Sequence, residues 1–267
     1  MFLDRIVRKK REEIAEKSAK IPQSALERLA AQTAPARDLL AALRQPGLGV
    51  IAEIKRASPS RGPIRPDLDA AALALQYEEG GAAAISVLTD EPHFGARPGD
   101  LEAVRTAVSV PVLRKDFILS EYQLWESRAM GADAVLLIVA ALETELLPRL
   151  IDLAMKLGIC PLVEVHTADE VDVAVACGAQ AIGINNRDLA TFRVELETTR
   201  RLRPLIPPGP AVVSESGIVS PRDAALVGQW GVDAVLVGEA LVASQDPAGF
   251  LRSLRASASG FPARGEA

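Results

Sequence analysis

The sequence predicts an α/β fold, a closed (β/α)8 barrel of the TIM type with extra helices at its N-terminus. Three observations favour it. The 267 residues, 49% of them hydrophobic and 24% charged, suit one large domain of the size that such barrels have. A short segment recurs at barrel spacing, and unusual polar residues follow the predicted strands at their carboxyl ends.

The recurring segment is a glycine that ends a helical pattern, followed almost at once by a β-branched run. Its copies are Gly81-Ala-Ala-Ala-Ile-Ser-Val, Gly131-Ala-Asp-Ala-Val-Leu-Leu, Gly178-Ala-Gln-Ala-Ile-Gly-Ile and Gly231-Val-Asp-Ala-Val-Leu-Val. The glycines are 50, 47 and 53 residues apart. Since a βα unit needs about half that length, each interval should hold one more strand.

Further strands are found where the spacing requires them. They run over 111–115, 160–164 and 211–215, and with 50–55 they bring the total to eight. Helices fill the gaps, with starts predicted at Ser120 with Gln123, Thr167 with Glu170, and Ser220 followed by Pro221. A doubly wound open sheet is the alternative, but no G-x-G-x-x-G follows the first strand.

The pattern divides the chain into three parts. Residues 1–48 form a helical extension packed on the barrel, because Leu3, Ile6, Val7 and Ile14 share one helical face. A second apolar cluster in the extension lies at 39–43. Residues 49–256 form the barrel, and residues 257–267, rich in Ser, Gly, Ala and Arg, form a disordered tail.

Composition excludes several classes of function. The net charge of −5 and the lack of a basic stripe interleaved with aromatics argue against a nucleic-acid partner and favour a small molecule. Cys160 and Cys177 form no disulfide framework, and both are expected to be buried. His93 and His166 are too few and too isolated for a zinc site, so we expect neither metal nor cofactor. Because the charged N-terminus is not a signal peptide and no apolar stretch is long enough to span a membrane, we expect a cytoplasmic protein.

The first strand carries an acid and a base two residues apart. In Val50-Ile-Ala-Glu53-Ile-Lys55, the alternation of side chains puts Glu53 and Lys55 on one face. A strand this apolar is expected to be buried, where charges occur only when they are paired or used. A half-exposed edge strand with a solvated ion pair is the alternative.

Other strands end in polar residues as well, and a barrel holds its active site at those ends. Each such residue could instead belong to a salt-bridge layer or a helix cap, but convergence of five strands on one rim favours a shared site. The residues are Glu53, Lys55, Lys115, Asp116, Glu164, Asn185, Asn186, Arg187, Glu215 and Ser216.

The loops after strands 7 and 8 indicate a phosphate site. Gly217 and the pair Gly238-Glu239 stand where backbone N–H groups can approach an anion, and Ser58 could add a hydroxyl. Tight βα turns also favour glycine, so either glycine alone is a weak signal. Aromatic and aliphatic residues at the same rim predict an apolar wall, although ordinary loop packing would also explain them. They are Phe94, Phe117, Leu136 and Leu189.

Taken together, these motifs resemble those of the indole-3-glycerol-phosphate synthase family over about residues 2–254, including the N-terminal helices that the family places over the barrel mouth. The motifs are Ala-Glu53-Ile-Lys55-Arg-Ala-Ser58-Pro-Ser, Pro-Val-Leu-Arg-Lys115-Asp-Phe117-Ile, Leu-Leu-Ile-Val-Ala-Ala-Leu142, Leu-Val-Glu164-Val-His, Ile-Gly-Ile-Asn185-Asn-Arg187-Asp-Leu189 and Val-Ser-Glu215-Ser-Gly217-Ile. Two loops depart from the family pattern, Phe94-Gly-Ala-Arg-Pro-Gly after strand 2 and Gly238-Glu-Ala after strand 8.

The resemblance implies closure of the indole ring of 1-(2-carboxyphenylamino)-1-deoxyribulose 5-phosphate, with release of CO2 and water, in tryptophan biosynthesis. It implies that Lys115 is the general acid on the ketone, a role helped if burial and neighbouring positive charge lower its pKa. Glu164 would be the carboxylate acid/base, and Glu53 would hold the lysines and a substrate hydroxyl. Lys55 would neutralise the substrate carboxylate or act as the acid in dehydration. Hydroxyls and the aromatic carboxylate would be oriented by Asn185, Arg187, Glu215 and Ser216.

Two other functions compete with this one. Another phosphate-binding barrel enzyme, such as an isomerase of phosphoribosyl aminoketoses, would share the anion site, but Glu53, Lys55 and Lys115 do not fit its acid/base arrangement. A barrel that has lost catalysis and serves as a scaffold would lack a catalytic residue, and none of those expected is missing. We expect a monomer that binds a small phosphorylated substrate, without nucleic acid or membrane, and leave open weak association with other tryptophan-pathway enzymes.

Overall fold

The computed structural model describes residues 2–257. The tail predicted for 257–267 therefore lies, from residue 258 onward, outside the described residues. No helix within the described range is long and apolar enough to cross a membrane.

The central element is a closed barrel of eight parallel strands in the order β1-β8-β7-β6-β5-β4-β3-β2, with β2 pairing back to β1. The strands are β1 (Gly49–Ile54), β2 (Ala84–Leu88), β3 (Val112–Lys115), β4 (Ala134–Ile138), β5 (Cys160–Val165), β6 (Ala181–Asn185), β7 (Ala211–Glu215) and β8 (Ala234–Val237). The predicted barrel is thus confirmed, and the open doubly wound sheet is not formed.

Helices precede, separate and follow the strands. They are α1 (Phe2–Lys20), α2 (Gln23–Gln32), α3 (Leu39–Leu43), α4 (Ala70–Glu79), α5 (Glu91–Phe94), α6 (Asp100–Ala107), α7 (Glu121–Ala129), α8 (Leu146–Lys156), α9 (Ala168–Ala176), α10 (Glu197–Leu202), α11 (Pro221–Gln229), α12 (Glu239–Ala243) and α13 (Pro247–Ala256). Short 3₁₀ turns follow β4 at Val139–Ala141 and α10 at Arg203–Leu205. After β1, Ala57–Ser58 pairs with Gly62–Pro63 in a small antiparallel hairpin.

The repeated glycines close the helices before β2, β4, β6 and β8. All four have φ between +74° and +87°, a conformation that glycine adopts without steric cost. At Gly81, the N–H of Ala82 reaches back to the carbonyl of Tyr77, as in a Schellman motif. This closing turn is the reason that β2 begins at Ala84, three residues after the glycine.

The predicted helix starts are found, although one cap differs from expectation. Thr167 and Ser220 accept hydrogen bonds from the N–H groups of Glu170 and Asp223. Ser120 occupies the N-cap position but makes no side-chain cap bond. Instead, Gln123 Oε1 accepts from the N–H of Leu119, 2.7 Å away.

Strand alternation produces two apolar layers. One face of each strand packs outward on the helices, and the other fills the barrel interior with small and branched residues that include Ile51, Leu113, Leu162, Val213 and Leu236. Cys160 lies in this interior layer and is buried, whereas Cys177 at the end of α9 is only half-buried, so the expectation of two buried cysteines was wrong for Cys177.

The N-terminal helices reach three different parts of the barrel. Ile6 of α1 contacts the cavity at the carboxyl ends of the strands, as expected for a helix over the mouth. By contrast, α2 packs against α7 on the outside. Leu39 and Leu43 of α3 pack with the residues that begin the strands, including Ala84 and Ala134, and so close the opposite end. Of the N-terminal helices, which the resemblance places over the mouth, α1 lies there, whereas the apolar residues of α2 and α3 are buried elsewhere on the barrel.

Candidate active site

A cavity of about 430 Å³ opens at the carboxyl ends of the strands. Of the site residues predicted from the sequence, all but Asn186 line it, Asp116 included, and together they combine charged, apolar and glycine positions. They are Glu53, Lys55, Ser58, Phe94, Lys115, Asp116, Phe117, Leu136, Glu164, Asn185, Arg187, Leu189, Glu215, Ser216, Gly217, Gly238 and Glu239.

The floor of the cavity is a cluster of ionisable side chains. Lys115 Nζ lies 3.3 Å from Glu215 Oε2, 3.6 Å from Glu164 Oε2 and 4.0 Å from Glu53 Oε2. On the other side of Glu53, Lys55 Nζ lies 2.8 Å from its Oε1. Both lysine side chains remain 15% exposed, whereas the three carboxylates are almost fully buried. The two ammonium groups therefore face the cavity, and the buried carboxylates lie behind them.

The carboxylates change the expected protonation of Lys115. Burial alone would lower its pKa, but the negative charges of Glu215, Glu164 and Glu53 outweigh burial and hold the pKa above the ordinary value. The condition that would favour a lowered pKa is therefore not met, because the ion-pair partners of Lys115 are carboxylates. At neutral pH Lys115 is a charged donor.

The carboxylates themselves do not behave alike. Burial and the charge of Glu164, only partly offset by Lys115, raise the pKa of Glu215 to about 8. Although burial opposes it, the pKa of Glu164 is lowered by Lys115, His166 and the Asn185 amide, and that of Glu53 by Lys55 and Lys115. Divergent pKa values within one cluster are typical of acid/base sites. The cluster thus keeps a proton on Glu215 while Glu53 and Glu164 stay ionised.

Strand register explains how the buried glutamates come so close to one another. Glu215 pairs with Asn185 across β7 and β6, and Glu164 pairs with Gly183 across β5 and β6. A Cβ at Gly183 would overlap Glu215 Oε1. The absence of a side chain at Gly183 therefore makes the space in which Glu215 approaches Glu164 and Lys115.

The loop after β6 carries Arg187 and two apolar residues into the cavity. The N–H of Arg187 donates to Asn185 Oδ1 at 3.0 Å, and its guanidinium donates to the Phe192 carbonyl at 3.3 Å. Asp188 Oδ1 accepts from the N–H groups of Ala190 and Thr191, which turns the chain back. These bonds fix Arg187 beside the polar cluster and leave Leu189 and Phe192 on the cavity wall.

The loop after β7 holds two consecutive residues in the left-handed backbone region. Ser216 and Gly217 both have positive φ, +65° and +87°. Asn186, which is buried, donates to the Ser216 carbonyl at 3.0 Å and accepts from Thr199. Asn186, named at the rim from the sequence, thus supports this turn and does not line the cavity. A non-glycine residue held at positive φ, as Ser216 is, is typical of ligand-binding and active sites.

Two other loops border this turn. Gly238 precedes α12, and its lack of a side chain leaves room for Glu53 Oε1 and Lys55 Nζ, which a Cβ would approach to 2.5 and 3.1 Å. Ser58 lies buried in the hairpin after β1. Arg61 of the same hairpin forms an ion pair with Glu239, which joins the loops after β1 and β8 across the top of the cavity.

Phe94, Phe117, Leu136 and Leu189 supply apolar surface on the other side. Sequence reasoning missed Ile6, which extends this wall from α1. It also missed Lys10, one turn further along α1, because a lysine on an amphipathic helix is normally solvated. Lys10 is 3% exposed and lies 3.0 Å from both Asp90 and Asp116.

The sequence predicts only that His166 is too isolated to form a zinc site, and gives it no role in the cavity. Its ring is 12% exposed, and Nε2 lies 3.4 Å from Glu164 Oε1. The spacing Glu164-x-His166 could have identified it, since alternate residues share a strand face. No group of three or more His, Cys, Asp and Glu among residues 2–257 is arranged to hold a metal ion.

The fold and the site define a (β/α)8-barrel enzyme with an acid/base cluster between an apolar wall and a glycine-rich turn. A family model described as indole-3-glycerol phosphate synthase matches residues 3–254. The chain belongs to the indole-3-glycerol phosphate synthase family.

Relatives in that family are similar over almost their whole length. Indole-3-glycerol phosphate synthase 1 of Streptomyces coelicolor is 51% identical over 245 residues, which cover 92% of this chain and 91% of the relative. The enzymes of Kineococcus radiotolerans and Mycobacterium avium are 50% and 49% identical over 92% of this chain and 91% and 90% of their own lengths.

Solved structures of lower identity share the fold. The 3-hexulose-6-phosphate synthase of Salmonella typhimurium superposes with a TM-score of 0.62 at 16% identity, over 79% of this chain and 98% of that one. The thiamine phosphate pyrophosphorylase of Pyrococcus furiosus gives 0.59 at 20% identity, over 80% and 96%. At these identities the likeness concerns the barrel alone.

Proposed function

We propose that this chain is an indole-3-glycerol phosphate synthase, a carboxy-lyase of tryptophan biosynthesis. It converts 1-(2-carboxyphenylamino)-1-deoxyribulose 5-phosphate to indole-3-glycerol phosphate, CO2 and water. Family membership supports this activity, and one observation in the site carries the mechanism: a charged Lys115 held between Glu53, Glu164 and Glu215 at the cavity floor.

Ring closure forms a bond between the carboxylate-bearing aromatic carbon and the ketone carbon. Negative charge develops on the ketone oxygen, and Lys115 donates its proton there. The high pKa of Lys115 keeps this donor charged, and a proton on Glu215, 3.3 Å away, can restore it afterwards. Fixed charges in a buried cluster need little reorganisation as the transition state forms.

The next steps release CO2 and then water. Loss of CO2 returns the bonding electrons to the ring, and Lys55 provides a second ammonium for the carboxylate before it leaves and for the departing hydroxyl. Glu164, kept ionised beside Lys115, accepts the proton that is lost as the indole double bond forms. Glu53 holds both lysines, since its two oxygens lie 2.8 Å from Lys55 and 4.0 Å from Lys115.

Binding is divided between two sides of the cavity. We place the phosphate at the Ser216-Gly217 turn, Gly238, Glu239 and Ser58, supported by the positive φ values of that turn. The ribulose hydroxyls and the aromatic carboxylate meet the polar groups of Asn185, Arg187, Glu215 and Ser216. The aromatic ring lies against Phe94, Phe117, Leu136 and Leu189.

The assay is formation of the indole product, followed by its fluorescence. Purified protein should convert the carboxyphenylamino substrate, and Lys115→Ala should lose at least ~10²-fold in kcat while its fold stays intact. Lys156→Ala is the control, because that side chain is 69% exposed on α8. Turnover of an aminoketose phosphate in place of the indole precursor would contradict the proposal. So would near-normal kcat in folded Lys115→Ala.

We also propose that the enzyme acts as a monomer in the cytoplasm. A phosphorylated substrate does not cross membranes unaided, so the enzyme must share the compartment in which that substrate is made. Light scattering after gel filtration tests the first point, and association with other tryptophan-pathway enzymes would appear as co-elution.

A further inference from the structure

His166 follows β5 directly and continues the interior face that carries Leu162 and Glu164. The ring lies between two carboxylates. Its Nδ1 is 3.2 Å from Glu170 Oε2, and its Nε2 is 3.4 Å from Glu164 Oε1. Nε2 is buried and has no hydrogen-bond partner, although it is aimed at the acid/base carboxylate.

Glu170 fixes which nitrogen carries the first proton. Its Oε2 already accepts from the backbone N–H of His166 at 2.7 Å, and its N–H donates to Thr167 at the start of α9. An ionised carboxylate can only accept, so Nδ1 must bear a hydrogen to donate to it. Of the two ring nitrogens, only Nε2 can then gain or lose a proton.

The two states of Nε2 require opposite states of Glu164. A protonated Nε2 faces an ionised Glu164 as a donor to an acceptor, whereas an unprotonated Nε2 can face only a protonated Glu164 without repulsion. The acidic groups around the ring, Glu164, Glu170, Glu215 and Asp188, favour the charged imidazolium against the opposing effect of burial. Beyond Glu164 stands Lys115, 3.6 Å from its other oxygen.

We propose that His166 is a positioning residue that shares one proton with Glu164, with Glu170 holding the ring in the tautomer that this requires. The inference rests on the proposed function, since it assigns to His166 control over the protonation of Glu164 in that reaction. While Nε2 carries the shared proton, the imidazolium holds Glu164 ionised, so that the carboxylate can take the proton lost by the reacting ring system and then release it to solvent. His166 keeps both of its protons in this step, and no bond to carbon changes in the His166–Glu164 pair.

The first test needs no substrate. The chain has two histidines, so proton NMR shows two imidazole Cε1–H signals, and the variant His93→Gln assigns them. His166 should titrate above the ordinary value near 6.5 in the native protein, and Glu164→Gln should lower that pKa. A His166 titration that is the same in native protein and Glu164→Gln would overturn the proposal.

The second test is kinetic. In His166→Gln the side chain keeps an N–H donor but cannot titrate, so Glu164 loses its charged neighbour, its pKa rises, and the acidic limb of the kcat profile moves to higher pH. His166→Ala should lower kcat by ~10-fold or more with little change in KM, less than removal of a direct acid or base. His93→Gln is the matched control, because that ring pairs with Asp90 away from Glu164.

The outcomes distinguish a failure of the proposed function from a failure of the positioning role of His166. Native protein that makes no indole product would refute the proposed function, and the NMR coupling between His166 and Glu164 would still be measured. Active native protein with an unshifted pH profile in folded His166→Gln would refute the positioning role alone. If His166→Ala fails to fold, His166→Gln and the Glu164→Gln titration still decide the question.

Discussion

Lys10→Met should detach α1 from the barrel mouth. The Lys10 ammonium is buried between Asp90 and Asp116, 3.0 Å from each, and also contacts Glu13 at 2.9 Å. Methionine preserves the length and the apolar stem of the side chain but leaves two buried carboxylates without this cation. Removing one partner of a buried ion pair costs about 3–5 kcal/mol.

The carboxylates keep other partners, which reduces that cost. Asp116 still accepts from Arg114 at 3.1 Å and Thr89 at 2.7 Å, and Asp90 still accepts from the N–H of His93 at 2.9 Å. We therefore expect a loss of about 2–3 kcal/mol, confined to the docking of α1 because its opening does not require the barrel to unfold.

Hydrogen exchange measured by mass spectrometry reports this opening directly. At 1.36 kcal/mol per factor of ten, amides of α1 should exchange about 30- to 150-fold faster in Lys10→Met, while those of the barrel strands keep their rates. The neighbouring Lys9→Met is the control, since Lys9 is exposed on the same helix. Native exchange of α1 in Lys10→Met, or equal acceleration in Lys9→Met, would refute the anchoring role.

Three further substitutions test other parts of the site. Gly217→Asp, which places a carboxylate at a φ of +87° in the turn proposed for phosphate, should raise KM by ~10-fold or more in steady-state assays, whereas Gly178→Asp, at similar φ far from the cavity, should not. Gly183→Ala should displace Glu215 and lower kcat, and the loss in activation free energy should exceed the loss in the free energy of unfolding. A crystal structure with Glu215 unmoved would contradict this. Folding raises the pKa of Glu215 from 4.5 to about 8, so the native protein takes up a proton on folding between those pH values. Its free energy of unfolding should therefore fall relative to that of Glu215→Gln as pH rises across this window. The same pH dependence of the free energy of unfolding in both proteins, measured with urea, would count against the assignment.

Local patterns were enough to predict the barrel and the rim. Two of these patterns depend only on neighbours a few residues away, so they can be recognised in a single sequence. They are the alternation that pairs Glu53 with Lys55 and the glycines before β2, β4, β6 and β8. The spacing of the strands likewise put Lys115, Glu164 and Glu215 at the carboxyl ends of their strands, on one rim. Their side chains then had to meet at the mouth, and they do.

Features that depend on contacts between distant segments were not predicted. The burial of Lys10 follows from Asp90 and Asp116, about 80 and 106 positions along the chain, as its own helix gives no hint of it. The raised pKa of Lys115 follows from the mutual distances of three carboxylates on different strands. The position of α3 at the closed end likewise depends on the small residues that begin many strands.

The placement of α1 and α3 at opposite ends of the barrel has a consequence for how the chain is made. The α3 helix leaves the ribosome before the barrel strands, yet Leu39 is buried in one apolar cluster with Ala211 and Ala234, and β1 closes the barrel only by pairing with β8. These contacts of very high sequence separation cannot form until almost the whole chain has been synthesised. Although α3 precedes the barrel in the chain, it must therefore be among the last elements to reach its native position, and until then its apolar face is exposed to chaperones and to other chains.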